Sequence, residues 1–536
     1  VFPIDTAAQR ERGERWLAQL RESRRAEVHA QHQLKERSLT ELLAALPPGL
    51  GIWNVPPGLD LSRARRADLR SLEDPSGAEP RLTAFRNARA YFAPAVSWKG
   101  RAPRELAWRV EGLPAGVAVE GGWIKFRALR EPGSENLYSV RERWVTNQKR
   151  RTFEREDLGR LWLRLLVPNG ARPGLFPASL VLTASGSDKP VRVPFEVRVL
   201  QARAADLDFP VGPFNDNIAE DWWDPAALRP RLERLETLSM AKIRSLGATA
   251  FSFSPRIGVS AVADGVSLDT EEVERVMTAA KRLGFLGLAG YGDVFLGENL
   301  CERAGPDSIL DGARLAQTAA GLESKARADR WLPLALIVCD EPVGAGVQEA
   351  SDRLRGLPPM DARRLVQWSV TTSLGDSASK PVRELVRRIS LPFLSEFSPE
   401  GPKFPWAFYN GASRETLGLG MFRLRRTTDL RDRLLWTWNA NAGNPYFDFD
   451  GRESDYAWCS STADARLRCS VELDRVVERG LADYRVALGL QRLLEERKDL
   501  TPEQRARGRE LLREAETAGV DPDSWLSKAG EYQEKL

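Results

Sequence analysis

Histidine is almost missing from this chain. Of 536 residues only His29 and His32 are histidine, and both sit in a charged N-terminal stretch. Everything from Gln33 onward works without imidazole, which disfavours a Ser-His-Asp hydrolase, a zinc hydrolase with histidine ligands and a histidine-based oxidoreductase. Carboxylates and tyrosines remain as acid–base groups. Cysteine is scarce as well. Cys301, Cys339, Cys459 and Cys469 have no metal-type spacing, although Cys459 and Cys469 could pair in an exported protein. No run of eighteen apolar residues occurs, so no membrane span is expected. Charge of one sign is lacking too: 79 basic against 75 acidic side chains leave a formal +4, too balanced to argue for a nucleic-acid partner. The chain opens on Val1 without a charged-then-apolar leader, which fits a removed export signal or a trimmed N-terminus. An exported location, periplasmic or extracellular, is the expectation. No phosphate-cradling Gly-rich loop and no strand-end lysine for a Schiff base are present, and neither a cofactor nor a metal is expected.

What is present suits a large folded chain. A hydrophobic fraction of 42% and a charged fraction of 29% support sizeable cores, and the length points to two or three domains. Residues 1–50 read as a helical arm, with Trp16, Leu17 and Leu20 at helical spacing and a stop at Pro47-Pro48. Its interspersed glutamates favour a solvated helix packing on the body over a membrane or nucleic-acid arm. Residues 51–205 read as strands broken by Pro and Gly, and the run from Val191 to Leu200 alternates strongly, as a half-exposed antiparallel strand does. The set suggests an N-terminal antiparallel β-sandwich, bracing a neighbour more readily than binding a ligand. In residues 206–495 short apolar runs alternate with helical ones. Eight strands are expected at Phe209–Phe214, Thr249–Phe253, Leu283–Ala289, Pro333–Cys339, Leu365–Thr371, Ser390–Leu394, Phe404–Tyr409 and Arg433–Trp438. Helices fit between most of them, though the connection from the sixth to the seventh is too short for a full one. That rhythm is a (β/α)8 TIM-like barrel. Residues 496–536 read as a helical tail. The expected fold class is thus a multidomain α/β plus all-β protein with helical extensions at both ends.

The barrel is organised around Trp331–Pro342, WLPLALIVCDEP, in which an unbroken apolar run ends in Asp340-Glu341-Pro342. Such a run reads as a strand buried on both faces. Carboxylates at its C-terminal end stand where α/β barrels place their chemistry. The plain alternative is that Asp340 caps the next helix and Glu341 faces solvent. Other strand ends favour the first reading, since they bring Asn215, Asp216, Tyr291, Glu396, Tyr409, Asn410, Trp436, Trp438 and Asn439 toward one face. Aromatic faces stack on sugar C–H faces, and carboxylates and amides hydrogen-bond hydroxyls. Beyond the last strand, NANAGNPYFDFDGRESDYAW adds Asp448 and Asp450, spaced without the glycine and terminal glutamate of an EF-hand. A sugar-binding or loop-shaping role is favoured there over a metal.

Together the strand ending in DEP, PWAFYNG, RLLWTWNANAGNPYFDFDG, VERGLADYRVALGLQ and the preceding LWLRLLVPNGARPGLFPASLVLTASG resemble the glycoside hydrolase family 123-like group over roughly residues 80–495. The resemblance implies hydrolysis of a β-linked 2-acetamido sugar, GalNAc-like, by a retaining substrate-assisted mechanism. Asp340 would stabilise the acetamido group and Glu341 would act as general acid/base. It further implies Tyr409 as a hydrogen-bond partner of the acetamido group and Trp436 or Trp438 as pocket wall, with barrel core as the alternative for the tryptophans. The implied partner is an oligosaccharide or glycoconjugate. Two other readings stay open: a glycosidase without an acetamido requirement that uses Glu341 with a second carboxylate such as Glu396, and a non-catalytic glycan-binding or assembly protein.

Overall fold

The computed structural model describes residues 39–72, 79–130, 138–186, 189–213, 225–252, 257–262, 265–291, 312–339, 342, 344–357, 363–373, 380–387, 389–396, 404–410, 413–435, 458–461 and 467–536, with positions 15, 18 and 22. In the first half, two-residue alternation sets the strands. Along Val191–Arg203 the side chains of Val193, Phe195, Val197 and Val199 are buried while Arg192 is exposed. This strand pairs antiparallel with Gly174–Ala184, which pairs in turn with Arg104–Glu111, and Arg150–Phe153 closes that side of a five-stranded sheet. A seven-stranded sheet faces it, centred on Glu156–Val167, which pairs with Ala88–Phe92, Ala95–Lys99 and Ala118–Arg130. Ile52, Val96, Leu161 and Leu163 of one sheet share a core with Trp108, Leu180, Val193 and Phe195 of the other, so the pair is a sandwich. One feature corrects the antiparallel expectation: Arg81–Arg86 runs parallel to Val191–Arg203. Both sheets intervene in the chain between those two strands, so no hairpin constrains them to opposite directions.

Past Arg203 the pairing becomes parallel. The strands are β1 (Val211–Pro213), β2 (Ala250–Ser252), β3 (Gly287–Tyr291), β4 (Leu334–Cys339), β5 (Val366–Ser373), β6 (Phe393–Glu396), β7 (Trp406–Asn410) and β8 (Leu430–Leu435). Their order is β1-β8-β7-β6-β5-β4-β3-β2, with every paired neighbour parallel. The ladder stops between β1 and β2, and Thr249 bridges that seam. Its backbone N–H donates to the Val211 carbonyl at 2.8 Å. Its hydroxyl donates to the Phe209 carbonyl at 2.6 Å and accepts from Val211 N–H at 3.1 Å. The strands approach so closely here that a Cβ on Gly212 would lie 1.6 Å from the Ala250 carbonyl oxygen.

The helices between strands are α1 (Pro225–Ser245), α2 (Glu271–Leu283), α3 (Gly312–Ala328), α4 (Ala345–Arg353), α5 (Lys380–Val386), α6 (Arg414–Leu417) and α7 (Leu419–Thr427), and α8 (Arg479–Glu496) follows the eighth strand. Among the described residues none lies between β6 and β7. Two boundaries differ from expectation. Leu283 ends α2 instead of opening β3, because Gly284 takes a left-handed φ of 80° and Phe285 N–H returns to the Ala280 carbonyl at 3.1 Å. The eighth strand begins at Leu430 rather than Arg433. Leu430 is fully buried and pairs with Trp406, so the charged run Arg431-Asp432-Arg433 lies inside the strand.

The tail forms α9 (Pro502–Ala515) and α10 (Pro522–Glu534). It joins the two halves: Trp525 and Ala529 share the core of the barrel's helix layer, and Gly530 lets α10 close on Leu200 and Phe85 of the sandwich. Of the expected N-terminal helices, Thr40–Ala44 is formed and positions 15, 18 and 22 are helical. Apart from those three positions, residues 1–38 of that arm lie outside the described residues, and Gly49–Leu50 already belong to a strand. No described helix is long and apolar enough to cross a membrane.

Candidate active site

Parallel pairing around the sheet places every strand's C-terminal end at one rim. All six side chains of β4 are buried. Ala335 and Ile337 join the inner cluster with Ala289, Leu391, Phe393 and Ala407, while Leu334, Leu336 and Val338 pack outward against the helices. This two-faced burial is why the run is wholly apolar, and the strand ends with Cys339. Cys339 is itself disulfide-bonded. Asp340 and Glu341 follow it and lie outside the described residues. The N-cap of α4 is Gly344, with no side-chain cap, so Asp340 does not occupy the N-cap position of that helix.

Of the other expected site residues, Tyr291 ends β3, Glu396 ends β6, and Tyr409 and Asn410 end β7. Asn410 is in register with Leu435 of β8, which is in register with Pro213 of β1. The ends of β7, β8 and β1 therefore stand at the same level. Asn215, Asp216, Trp436, Trp438, Asn439, Asp448 and Asp450 lie outside the described residues.

After β7, Ser413 caps α6 by accepting from Thr416 N–H at 3.1 Å. Arg414 then donates to both Asp483 oxygens, at 2.7 and 3.1 Å, and to Asp523 at 2.8 Å, tying the helix after β7 to α8 and α10. Burial raises the Asp483 carboxyl to about 6 even with Arg414 against it. Beyond β8 the chain returns at the buried Trp458, forms a hairpin joined by the Cys459–Cys469 disulfide, and enters a π-helical turn, Leu473–Glu478, that opens α8. That turn is held by buried charges of the sandwich. Glu142 pairs with Arg160 at 3.0 Å and also with Arg475. The Trp162 indole donates to Asp474 at 2.8 Å. Tyr91 donates to Glu478, which also pairs with Arg89, and burial keeps the Tyr91 hydroxyl protonated far above its ordinary range. None of these partners was singled out from sequence. Arg160 and Arg164, an even number of residues apart and so on one face of an otherwise mostly apolar strand, were the available signal.

A cavity of about 220 Å³ lies at the opposite rim, bounded by Pro210, Pro333 and Pro405, which precede β1, β4 and β7. It is remote from the strand ends expected to carry chemistry. Sequence reasoning also missed its buried acid, Asp432, because the eighth strand was placed after it.

Over 91% of this chain and 98% of the other, the structure aligns with a family 123 glycoside hydrolase from Clostridium perfringens described for glycolipid glycan hydrolysis, at a TM-score of 0.61 and 11% identity. The fold is shared with that hydrolase. The β-glucuronidase of Parabacteroides merdae aligns over 77% of this chain and 52% of its own, with 8% identity and a TM-score of only 0.24. No family model and no curated protein matches the sequence.

Proposed function

We propose that this protein is a glycoside hydrolase that cleaves a β-linked 2-acetamido sugar, GalNAc-like, from an oligosaccharide or glycoconjugate. The observation that carries the reading is β4, buried on both faces and ending at Cys339, one residue before Asp340-Glu341. The shared fold with a hydrolase of glycolipid glycans supports it. In this reading the substrate's acetamido oxygen attacks the anomeric carbon, Asp340 stabilises the acetamido nitrogen, and Glu341 protonates the leaving oxygen and then deprotonates water. No enzyme nucleophile is needed. Like-charge proximity and a half-buried strand end would keep Glu341 protonated while Asp340 stays ionised. Tyr409 would bond the acetamido group, Trp436 and Trp438 would wall the pocket, and Asn215, Asp216, Tyr291, Glu396, Asn410, Asn439, Asp448 and Asp450 would bind substrate. The division into an arm (1–50), a bracing sandwich (51–205), a catalytic barrel (206–495) and a tail (496–536) belongs to the same proposal. So does an exported location, which the Cys459–Cys469 bond and the bonded Cys339 support.

Glu341→Gln is expected to lower turnover of an aryl 2-acetamido-glycoside by about 10²–10⁴-fold with folding unchanged, and Asp340→Asn to act likewise on acetamido substrates only. A thiazoline mimic of the oxazoline intermediate should inhibit. Unchanged turnover in either variant rules the assignment out.

A second reading pairs Glu341 with Glu396 on a substrate without the acetamido group. Strand β5 separates β4 from β6, so their ends stand about 10 Å apart at ordinary strand spacing. That suits the wider carboxyl separation of an inverting enzyme better than a covalent retaining pair. Turnover of plain aryl hexosides with inverted product would select it, and glycan binding without any turnover would select the non-catalytic reading.

A further inference from the structure

The cavity at the lower rim has features of a binding site rather than a packing gap. Asp432 is the third residue of β8 and should, by simple alternation from the outward-facing Leu430, point toward the helices. A bulge changes this: Trp406 pairs with Leu430, but the next residue, Ala407, pairs with Asp432. The extra residue re-aims the side chain. Ala407 belongs to the inner cluster, so Asp432 faces the lumen, where it forms part of the cavity wall with Gln367 and Ser390.

Asp432 is 5% exposed and its Oδ1 has no hydrogen-bond partner. The other deeply buried acids differ in this respect: Glu142, Asp474 and Asp483 each meet an arginine or an indole N–H. Three other charged side chains, Asp208, Arg425 and Arg431, line the same cavity, and each is engaged with a group other than Asp432. Arg425 donates to the Leu430 carbonyl and lies 3.8 Å from Asp208, and Arg431 pairs with Asp429 at 2.5 Å. Arg433, next in the strand, faces the helix layer with its guanidinium 4.2 Å from the Phe408 ring centre. A buried carboxyl without a counter-charge is costly. What would complete it is a compact cation able to donate several hydrogen bonds, and the volume greatly exceeds the need of one water.

We propose that the lower lumen of the barrel is a second binding site, for an ammonium ion or small primary amine held by Asp432. The amine would donate to the Asp432 carboxylate, with Gln367 and Ser390 as further acceptors in the same wall. Burial holds the empty carboxyl up at about 8, so the binding-competent ionised form is a minority at neutral pH and its population grows as pH rises. The site is independent of the glycosidase reading.

The test uses the full chain and methylammonium chloride, with tetramethylammonium chloride as a control that has the charge but no N–H donor. Calorimetry and the thermal midpoint are the readouts. Saturable binding of methylammonium is expected, about tenfold tighter at pH 9 than at pH 7 because the ionised fraction rises from about a tenth to about nine-tenths. Asp432→Asn should abolish it while circular dichroism stays unchanged. If that variant fails to fold, the pH dependence and the control cation in the wild type decide the matter. Absence of saturable binding, binding that persists in Asp432→Asn, equal response to the control, or affinity that does not rise with pH would each overturn the proposal and leave a water-filled cavity.

Discussion

Replacing Glu142 by Gln should be among the most damaging single changes in this protein. The side chains of Glu142 and Arg160 are fully buried, and that of Arg475 is 5% exposed. The substitution keeps shape but removes the one carboxylate that both guanidiniums share, leaving two buried like charges side by side. Breaking a buried pair by deleting one partner costs about 3–5 kcal/mol, against about 0–1 for an exposed pair. Arg475 keeps Glu472 at 2.8 Å, so Arg160 is the cation left without a carboxylate and a loss within that range is expected. Urea unfolding followed by tryptophan fluorescence suits the measurement, because the Trp162 ring centre lies 5.8 Å from the Arg160 guanidinium and 5.2 Å from that of Arg475. The loss should be nearly the same at low and high salt, as buried charges are poorly screened. A fully apolar replacement of all three residues should not recover wild-type stability, for Arg160 also donates to the carbonyls of Ala93, Val55 and Pro56 at 3.0, 3.3 and 2.7 Å. A loss below about 1 kcal/mol, or one that disappears in high salt, would refute the claim that this cluster locks the sandwich to the segment after β8.

Two more outcomes follow from the barrel. Thr249→Val removes the hydroxyl that serves Phe209 and Val211 across the seam, and should cost about 1–3 kcal/mol with Thr249→Ser restoring most of it; equal stability of the Val and Ser variants in chemical denaturation would contradict the seam's role. Asp432 has its carboxyl raised to about 8 by burial, so between about pH 4 and pH 8 the folded state binds a proton the unfolded chain does not, and stability falls as pH rises through that window. Asp432→Asn should therefore gain on the wild type from pH 4 to pH 8 and level off above it, a trend read from unfolding midpoints over that range.

Much of the architecture was legible without coordinates. β4 was placed within a residue at its start and correctly at its end, because a strand buried on both faces must be apolar throughout and proline stands at each side. Val191–Arg203 was legible for the opposite reason, one wet face and one dry. The eighth strand was misplaced, since its interior carries Arg431, Asp432 and Arg433, and hydrophobic patterning cannot anticipate charges whose burial a bulge arranges. The buried arginines at 160 and 475 escaped notice likewise: their partner, Glu142, is distant in sequence from Arg475.

The sequence by itself determined the alternation of strand and helix, the near-absence of imidazole chemistry and the buried strand that ends before Asp340-Glu341, because burial and periodicity are local properties of the chain. Only the tertiary structure decided how the barrel closes through Thr249, which charges lock the sandwich to α8, and that Asp432 faces a cavity at the far rim. Each of those depends on pairing between residues remote in sequence, where register and approach distance, not composition, set the energy.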